Sequence, residues 1–302
     1  MLEGKVAIVT GSGRGIGRAI ALLMAQKGAS VVVNDLGVAG DGTGPDTGPA
    51  QEVAAEITQA GGKALANTDS VTSAEGCAEM VRSAREQFGR LDIVVNNAGI
   101  LRDRMFHKMD PDDWQAVIDV HLGGHFNLCR AAINQFREQE YGRIVNFTST
   151  SGLIGNIGQT NYGSAKLAIA GLTRLLALET QRYDICVNAV SPFAWTRMTA
   201  SIPVTDEASE ARVEKVKKMK AEHIAPLAVF LASERCKGIT GQIFGARAGE
   251  LMVFSMPRPI RSVHHVGGWT PEEVGEFAMP ALRNFFQPNV VSADMFPYDP
   301  LE

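Results

Sequence analysis

A glycine-rich run between two apolar patterns constrains the fold of this chain more than any other feature. Residues 5–10, KVAIVT, are apolar and β-branched and end at a glycine, which favours a short buried strand. Residues 11–17, GSGRGIG, follow, and residues 18–25 repeat apolar positions with helical period. This arrangement cradles the pyrophosphate of a dinucleotide, because glycines let the backbone come close and the helix N-terminus is positive. A plain tight turn is the alternative.

Strand and helix patterns continue to alternate to about residue 246. This rhythm predicts a doubly wound parallel α/β sheet, the Rossmann fold, in a single domain over residues 1–249. Further strands are expected at Ser30–Asn34, Ala64–Asn67, Leu91–Asn96, Gly142–Thr148, Cys186–Val190 and Gln242–Ala246. Helices are expected at residues 50–60, from Thr72 to Phe88, from Asp110 to residue 138, from Tyr162 to Gln181, at residues 206–219 (a solvated helix or a mobile flap) and at residues 222–232.

Residues 250–302 lie beyond that sheet and form a C-terminal extension. Glu250–Ser255 is interpreted as an additional strand, and residues 270–273, TPEE, as the start of a helix. We expect the extension to pack on its own domain or on a neighbouring subunit, as a lid or as a subunit contact. It is too aromatic to be disordered, since it contains Phe277, Phe285, Phe286 and Phe296.

A tyrosine and a lysine one helical turn apart, Tyr162 and Lys166, form the candidate catalytic pair. Helical positions i and i+4 share one face, so the phenol and the ammonium point into the same space. The ammonium favours the phenolate and is expected to lower the pKa of the tyrosine from about 10, towards a range suited to proton transfer at neutral pH. Ser149 would hydrogen-bond the oxygen of the same alcohol or ketone. Alone, the pair is more often surface helix chemistry; the glycine-rich turn favours the catalytic interpretation.

The acidic residue after the second predicted strand, Asp35, bears on the choice of cofactor. It lies about 20 residues past the glycines, where a carboxylate suits the ribose hydroxyls of NAD and repels the 2′-phosphate of NADP. Arg14 argues weakly the other way, because a cation attracts that phosphate. We therefore predict NAD, with NADP the less favoured cofactor. A solvated acid at the end of a strand is the alternative for Asp35.

Composition and charge exclude several other classes of protein. The formal net charge is -4, so neither nucleic acid nor a membrane is an expected partner. The four cysteines have neither metal-ligand nor redox-motif spacing, and no signal-peptide pattern precedes them, which predicts a cytoplasmic location. No apolar run reaches transmembrane length. Asp41 and Asp46 look like calcium ligands, but no glutamate follows at the required spacing, so no metal site is predicted.

Five motifs occur here in the order typical of one known family: residues 10–17, TGSGRGIG; residues 96–99, NNAG; Ser149; Tyr162 with Lys166; and residues 191–192, SP. The chain resembles the short-chain dehydrogenase/reductase family over roughly residues 5–246. The resemblance implies a parallel sheet, NAD(H) or NADP(H), a small-molecule substrate and a homodimer or homotetramer. It implies Tyr162 as the general acid/base, Lys166 as the residue that holds the nicotinamide ribose, and Ser149 as the residue that orients the substrate oxygen.

The same resemblance implies a set of cofactor contacts. Asp69 and Ser70 would touch the adenine region, residues 97–99 would line the cleft, and Pro192 and Thr196 would touch the nicotinamide side. The full expected set is Gly11, Ser12, Arg14, Gly15, Ile16, Gly17, Asp35, Leu36, Asp69, Ser70, Asn97, Ala98, Gly99, Tyr162, Lys166, Pro192 and Thr196.

Two residues depart from the family pattern. His121 stands where the family usually has an asparagine that supports a proton-relay water near the lysine. A histidine both donates and accepts hydrogen bonds, so His121 is a candidate member of the catalytic group; a histidine satisfied within its own helix is the equal alternative. Phe193 stands where the family often has a glycine after the proline, and it would narrow the space beside the nicotinamide.

A narrower resemblance concerns the substrate. His121, residues 34–37 (NDLG), residues 97–104 (NAGILRDR) and residues 197–199 (RMT) are similar to the (3R)-hydroxyacyl-CoA dehydrogenase domains of peroxisomal multifunctional enzymes type 2, also called 17β-hydroxysteroid dehydrogenase type 4, and their stand-alone bacterial relatives. This implies a 3-hydroxyacyl-CoA substrate, with a steroid-derived acyl chain as one form. The alternatives are a dehydrogenase of free sterols and a catalytically inactive NAD-binding protein. Candidates for CoA phosphates, or simply a solvated basic face, are Arg102, Arg104 and Lys108.

Overall fold

The fold is built on one sheet, which in chain order comprises β1 (Val6–Thr10), β2 (Ser30–Asn34), β3 (Lys63–Asn67), β4 (Ile93–Asn96), β5 (Tyr141–Phe147), β6 (Asp184–Phe193), β7 (Ile243–Arg247) and β8 (Glu250–Val253). The computed structural model describes residues 1–44, 48–196, 213–214 and 216–299. Within these residues the strand order is β3-β2-β1-β4-β5-β6-β7-β8, all parallel except β8, which pairs antiparallel with β7. The predicted Rossmann fold is confirmed. Its direction of winding reverses between β1 and β4, where doubly wound sheets bind ligands.

Helices cover both faces of this sheet. The α-helices are α1 (Gly15–Gln26), α2 (Gly48–Gln59), α3 (Ala74–Phe88), α4 (Pro111–Ile118), α5 (Gly124–Glu138), α6 (Thr150–Leu153), α7 (Thr160–Glu179), α8 (Ala225–Leu231), α9 (Pro271–Glu273), α10 (Met279–Arg283) and α11 (Ser292–Met295). In the part of the chain that the structure describes, two π-helical turns lie at Asp119–Gly123 and Val274–Ala278, and short 3₁₀ turns lie at Phe106–Lys108, Ala221–His223 and Glu234–Cys236.

The hydrophobic core lies in two layers, one on each face of the sheet. Along β1, Ala7 and Val9 pack with the layer that contains α1, α2 and α8, whereas Val6 and Ile8 pack with the layer that contains α3 and α5. Successive side chains of a strand point to opposite faces. Because both faces are buried, the strand is a continuous apolar run in the sequence and shows no alternation.

Two helix predictions differ from the structure, and a third lies mostly outside the described residues. The helix expected from Asp110 to residue 138 is interrupted by the π turn at Asp119–Gly123. The helix expected from Thr72 has its N-cap one residue later, at Ser73, whose side chain accepts from the Gly76 N–H at 2.9 Å. Of the helix or flap expected at residues 206–219, residues 206–212 and 215 lie outside the described residues, as do residues 197–199.

The C-terminal extension begins as an edge strand, and its last described residues return to the carboxyl end of the sheet. The additional strand expected at Glu250–Ser255 is confirmed as β8, Glu250–Val253. The helix start at Thr270 is also confirmed. The Thr270 hydroxyl accepts from the Glu273 N–H at 3.2 Å, and the Glu273 carboxylate accepts from the Thr270 N–H at 2.9 Å. These reciprocal bonds satisfy donors that the first turn of a helix leaves free.

Candidate active site

Ser149 and Tyr162 come together at the carboxyl end of β5. Ser149 follows that strand and caps α6, where its hydroxyl accepts from the Ser151 N–H at 3.1 Å. Tyr162 lies in the first turn of α7 and is partly buried. The nearby Ser149 hydroxyl favours the ionised form of the phenol and so acts to lower its pKa. Although a loop separates them in the sequence, the Ser149 and Tyr162 side chains therefore face the same small space.

Two glycines let the helices that carry these residues approach each other. A Cβ at Gly152 would lie 2.5 Å from the Leu167 backbone nitrogen, and one at Gly163 would lie 2.7 Å from the Ser151 carbonyl oxygen. Contacts this short are forbidden to real side chains, and the atoms they would meet are backbone atoms that cannot turn aside. The first turn of α6 therefore packs directly on α7, which fixes the distance between Ser149 and Tyr162.

Lys166 is buried one turn beyond Tyr162, with 3% of its surface exposed. Its ammonium donates to the Phe147 carbonyl oxygen at 2.7 Å and lies 5.5 Å from the centre of the Tyr162 ring. Burial lowers the pKa of Lys166 from its usual value to about 7, because a charged ammonium loses its hydration inside the protein. Near neutral pH the lysine therefore exists in both its charged and its neutral form.

The pKa of Tyr162 is raised to about 12, and the expected lowering by Lys166 was wrong for this protein without cofactor. Burial of the phenol is the largest cause, because a phenolate is poorly solvated there. The nearby Asp103 carboxylate adds to the rise, and Ser149 opposes it. A neighbouring ammonium favours the phenolate, but the cost of removing the phenol from water is larger and is not visible in the sequence. Any lowering at this site has to overcome that cost.

His121 packs against the tyrosine from the other side. It lies in the π turn and is 1% exposed, and its ring stands edge-on to Tyr162 with centroids 5.1 Å apart. Its Nε2 lies 2.8 Å from the Ile100 carbonyl oxygen, while its Nδ1 is buried without a hydrogen-bond partner. A Cβ at Gly99 would lie 2.3 Å from the imidazole Cε1, so only glycine fits there. Burial and then the Lys166 charge hold the pKa of His121 well below its usual range.

A second histidine, His125, follows one turn later and was missed in the sequence analysis. It is 2% exposed, and its Nε2 is buried without a partner. Burial, followed by the Lys166 charge, lowers its pKa to about 3, so it is neutral at physiological pH. The spacing of the two histidines was a possible sequence signal, but the π turn that positions them has no evident signature in the residue pattern.

The glycine-rich turn borders the crevice that lies outside the carboxyl ends of β1 and β4, where the winding of the sheet reverses. Gly11 has a left-handed backbone, φ 62°, and a Cβ there would lie 2.8 Å from the Ala98 Cα. The Asn97 side chain donates to the Thr10 and Gly11 carbonyl oxygens, each at 3.0 Å. A Cβ at Gly17 would lie 2.2 Å from the same Gly11 oxygen. The turn is thus held flat against the end of β4, with the N-terminus of α1 facing the crevice.

Asp35 lies beside this turn, as the prediction of a ribose-binding carboxylate requires. One carboxylate oxygen accepts from the Gly13 N–H at 2.8 Å and the other from the Gly37 N–H at 2.7 Å. Each oxygen retains a further lone pair for a hydroxyl donor. At the end of the next strand, the Asp69 carboxylate accepts from the Asn67 side chain at 2.7 Å, and its backbone carbonyl accepts from Asn34 at 2.9 Å.

The remaining predicted cofactor residues lie around the same edge of the sheet. Thr196 approaches the glycine turn from the far side, since its Cγ2 would lie 3.6 Å from a Cβ at Gly15. Pro192 is in β6, opposite Ala246 of β7.

The buried Ser12 hydroxyl donates to the Val9 carbonyl oxygen at 2.7 Å, so it supports the turn from inside. Arg14 is the N-cap of α1, Ile16 lies in its first turn, and Leu36 and Ser70 follow β2 and β3.

A continuous series of contacts joins the two halves of the site. Asn97 holds the glycine turn, Gly99 contacts His121, and His121 contacts Tyr162. The tyrosine, serine and lysine therefore border the same crevice as the turn. No helix in the described parts of the chain is long and apolar enough to cross a membrane. Those parts also hold no group of three or more His, Cys, Asp or Glu side chains arranged for a metal ion.

The sequence pattern of the short chain dehydrogenase family matches residues 5–207. The chain therefore belongs to the short-chain dehydrogenase/reductase family and is an oxidoreductase of the kind that uses nicotinamide dinucleotide cofactors and binds small-molecule substrates. The predicted resemblance is confirmed at this level.

Individual relatives extend the comparison. A putative short-chain type dehydrogenase/reductase of Mycobacterium tuberculosis is 50% identical over 78% of this chain and 79% of its own length. The peroxisomal multifunctional enzyme type 2 of Mus musculus is 44% identical over 82% of this chain, but the match covers only 32% of the mouse protein. A hydroxyacyl-CoA dehydrogenase of M. tuberculosis is 38% identical over 94% of this chain and 89% of its own length, a match too long to end at residue 249.

A solved structure shares the architecture over nearly the whole chain. The crystal structure of a short chain dehydrogenase from Mycobacterium avium superposes with a TM-score of 0.82 at 39% identity, covering 96% of this chain and 98% of that chain. The C-terminal extension is therefore part of a fold that this chain has in common with a solved relative.

Proposed function

We propose that this protein oxidises a secondary alcohol to a ketone with NAD, and reduces the ketone in the reverse direction, with Tyr162 as the general acid/base. The observation that carries the proposal is the meeting of Ser149, Tyr162 and Lys166 at one crevice that the glycine turn also borders. Alcohol oxidation needs a base for the hydroxyl proton and an acceptor for the hydride. The three side chains would supply the base, and the crevice would bind the dinucleotide that accepts the hydride.

The residues present fit a dinucleotide on physical grounds. At Gly11 and Gly17 a Cβ would collide with the backbone, so the turn carries no side chain at these positions. A pyrophosphate could therefore come close to the backbone there. Asp35 would accept from the ribose hydroxyls, and Lys166 would hold the second ribose. NAD, when bound, supplies a positively charged ring that accepts a hydride. We propose NAD over NADP because a 2′-phosphate would meet the Asp35 carboxylate.

The protein's own groups would move the proton. Ser149 would donate a hydrogen bond to the substrate oxygen and hold it beside the phenol. The Tyr162 oxygen would take the hydroxyl proton as the C–O bond becomes a carbonyl. Because the pKa of the phenol is about 12 without ligands, positive charge brought into the crevice is needed to favour the phenolate. Lys166, whose pKa is about 7, would pass the proton onwards, and His121 would support that relay.

The proposed substrate class is a 3-hydroxyacyl-CoA. It rests on the relatives that are named as hydroxyacyl-CoA dehydrogenases or peroxisomal multifunctional enzymes. Arg102 and Arg104 are two of the candidates for binding CoA phosphates. Each already forms an ion pair with the Asp113 carboxylate, at 3.9 Å or less. They remain candidates only if a phosphate competes with that acid.

The test is a substrate screen with NAD and NADP in parallel. NADH formation with a 3-hydroxyacyl-CoA, and much slower formation with a free 17β-hydroxysteroid, is the expected result. The opposite preference would assign the protein to free sterols. Tight NADH binding with no turnover of any alcohol or ketone would make it an inactive NAD-binding protein.

A further inference from the structure

The last part of the C-terminal extension returns to the rim of the active site. Ser292 binds Gly155 twice, with its backbone N–H at 2.9 Å and its hydroxyl at 3.0 Å from the Gly155 carbonyl oxygen. Gly155 comes two residues after α6, the helix that Ser149 caps. One end of this segment is therefore fixed beside the loop that holds the substrate oxygen.

The other end of the segment is fixed at the carboxyl ends of β6 and β7, next to Pro192, which is expected to touch the nicotinamide. Phe193 and Arg247 are register partners at the carboxyl ends of β6 and β7. Phe296 stacks edge-to-face on Phe193 with ring centroids 4.9 Å apart. The Arg247 guanidinium donates to the Tyr298 carbonyl oxygen at 2.5 Å, and the Tyr298 hydroxyl donates to Glu250 at 2.9 Å.

We propose that residues 290–298, here called the C-terminal strap, form a wall of the substrate pocket in their own subunit. Phe296, together with Phe193, then determines how bulky an acyl group the pocket accepts. This inference rests on the proposed function, because it concerns the substrate of the same site. It assigns a role to the extension, which the sequence left as either a lid or a subunit contact.

The position of the strap relative to the reacting oxygen supports this role. Ser149 and Tyr162 fix the alcohol oxygen at the end of β5, and the next strand in the sheet, β6, ends at Phe193. The Gly155 loop follows Ser149 along the chain and Phe193 ends the neighbouring strand, so we infer that substituents on the alcohol carbon pass between these two places. The strap spans those two places. Both aromatic rings are partly exposed, so each retains an apolar surface for a substrate to contact.

The electrostatics of Arg247 explain why the strap stays in place. The arginine is 4% exposed and lies 3.5 Å from the Glu250 carboxylate. Its guanidinium also lies 4.7 Å from the Tyr298 ring and 5.8 Å from the Phe296 ring. A buried cation is costly unless its charge is compensated. The strap supplies one carbonyl and two aromatic faces, so its departure would leave the arginine partly uncompensated.

The kinetic test compares Phe296→Ala with Phe286→Ala. Phe286 lies in the same extension, has 58% of its surface exposed and is outside the strap, so its variant is the matched control. We measure kcat/KM with NAD for a short straight-chain and a bulky branched 3-hydroxyacyl-CoA. Phe296→Ala should raise the ratio of kcat/KM for the bulky substrate to kcat/KM for the short one by about tenfold, the effect typical of a pocket enlarged by several carbons. The NADH affinity should not change. An unchanged ratio would overturn the inference.

A second measurement does not depend on turnover. Hydrogen exchange is compared between the wild type and the Ser292→Ala/Phe296→Ala double variant, with Phe286→Ala as the control. Amides of residues 149–155 and 243–247 should exchange faster only in the double variant. Equal exchange would show that the strap does not cover these segments, and the inference would fail. If the wild type oxidises another alcohol class instead, the proposed substrate fails, and the selectivity ratio is measured within that class.

Discussion

The imidazole of His121 stands at 83° to the Tyr162 ring, with the ring centroids 5.1 Å apart. One face of the tyrosine is therefore covered by a neutral, buried side chain whose Nδ1 has no partner. An unpartnered buried nitrogen is costly and is usually satisfied by water or a ligand. We therefore propose His121 as a positioning residue for a proton path from Lys166.

This role predicts different outcomes for two substitutions at His121. His121→Asn keeps a group that donates and accepts, so kcat should stay within about threefold of the wild type. His121→Phe keeps the ring and removes both nitrogens, and kcat should fall by about tenfold or more, with the loss greatest at low pH. The pH profile of kcat measures this. If circular dichroism shows that both variants are folded and their pH profiles are equal, His121 has only a packing role.

Asp35 should control the choice of cofactor. In Asp35→Ser the carboxylate no longer repels a 2′-phosphate, and the ratio of kcat/KM for NAD over NADP should fall by at least about tenfold. The variant also loses acceptors for the Gly13 and Gly37 N–H groups, so its thermal stability is measured alongside. A lower melting temperature with the same cofactor ratio would mean that Asp35 only supports the turn.

The contact between α6 and α7 predicts a sharp difference between two glycines of the same helix. Gly163→Ala places a Cβ 2.7 Å from the Ser151 oxygen and should destabilise the protein by about 2 kcal/mol while lowering kcat. Gly171→Ala is the matched control, because a Cβ there would meet nothing within 4 Å. It should be neutral or more stable by about 0.5–1 kcal/mol. Urea unfolding measures both, and equal effects would refute the account of this contact.

The buried Lys166 should make stability depend on pH in a definite direction. Its pKa is about 7 in the folded protein against 10.5 ordinarily, so between these values the unfolded chain binds more protons. Stability from this group therefore rises as pH increases through that window. From pH 7.5 to 9.5, the wild type should gain about 2 kcal/mol in free energy of unfolding relative to Lys166→Met. A constant difference between the two proteins would contradict the lowered pKa.

The fold and the outline of the site were predictable from the sequence because they depend on local patterns. The apolar run at β1, the glycines after it and the spacing of Tyr162 and Lys166 each report on a neighbourhood of a few residues. Doubly wound topology then brings the carboxyl ends of the strands to one edge. The expected positions of Asp35, Asn97 and Ser149 at that edge follow from this rule.

Features that depend on packing between distant segments were not predictable in the same way. The raised pKa of Tyr162 reflects its burial, which no local pattern reveals. The π turn that directs His121 inwards lies within an apparently ordinary helix. The contact between Phe193 and Phe296 joins residues more than one hundred positions apart. Each depends on how separate elements meet.

The central claim is that the Tyr162 phenol transfers the substrate proton, and the most direct test is turnover by Tyr162→Phe. The rate of NADH formation from a 3-hydroxyacyl-CoA, at saturating NAD, should fall by about 10²–10⁴-fold, the usual contribution of a general acid/base. NADH should still bind, because the variant removes one oxygen and no cofactor-binding charge. Turnover at the wild-type rate would contradict the account.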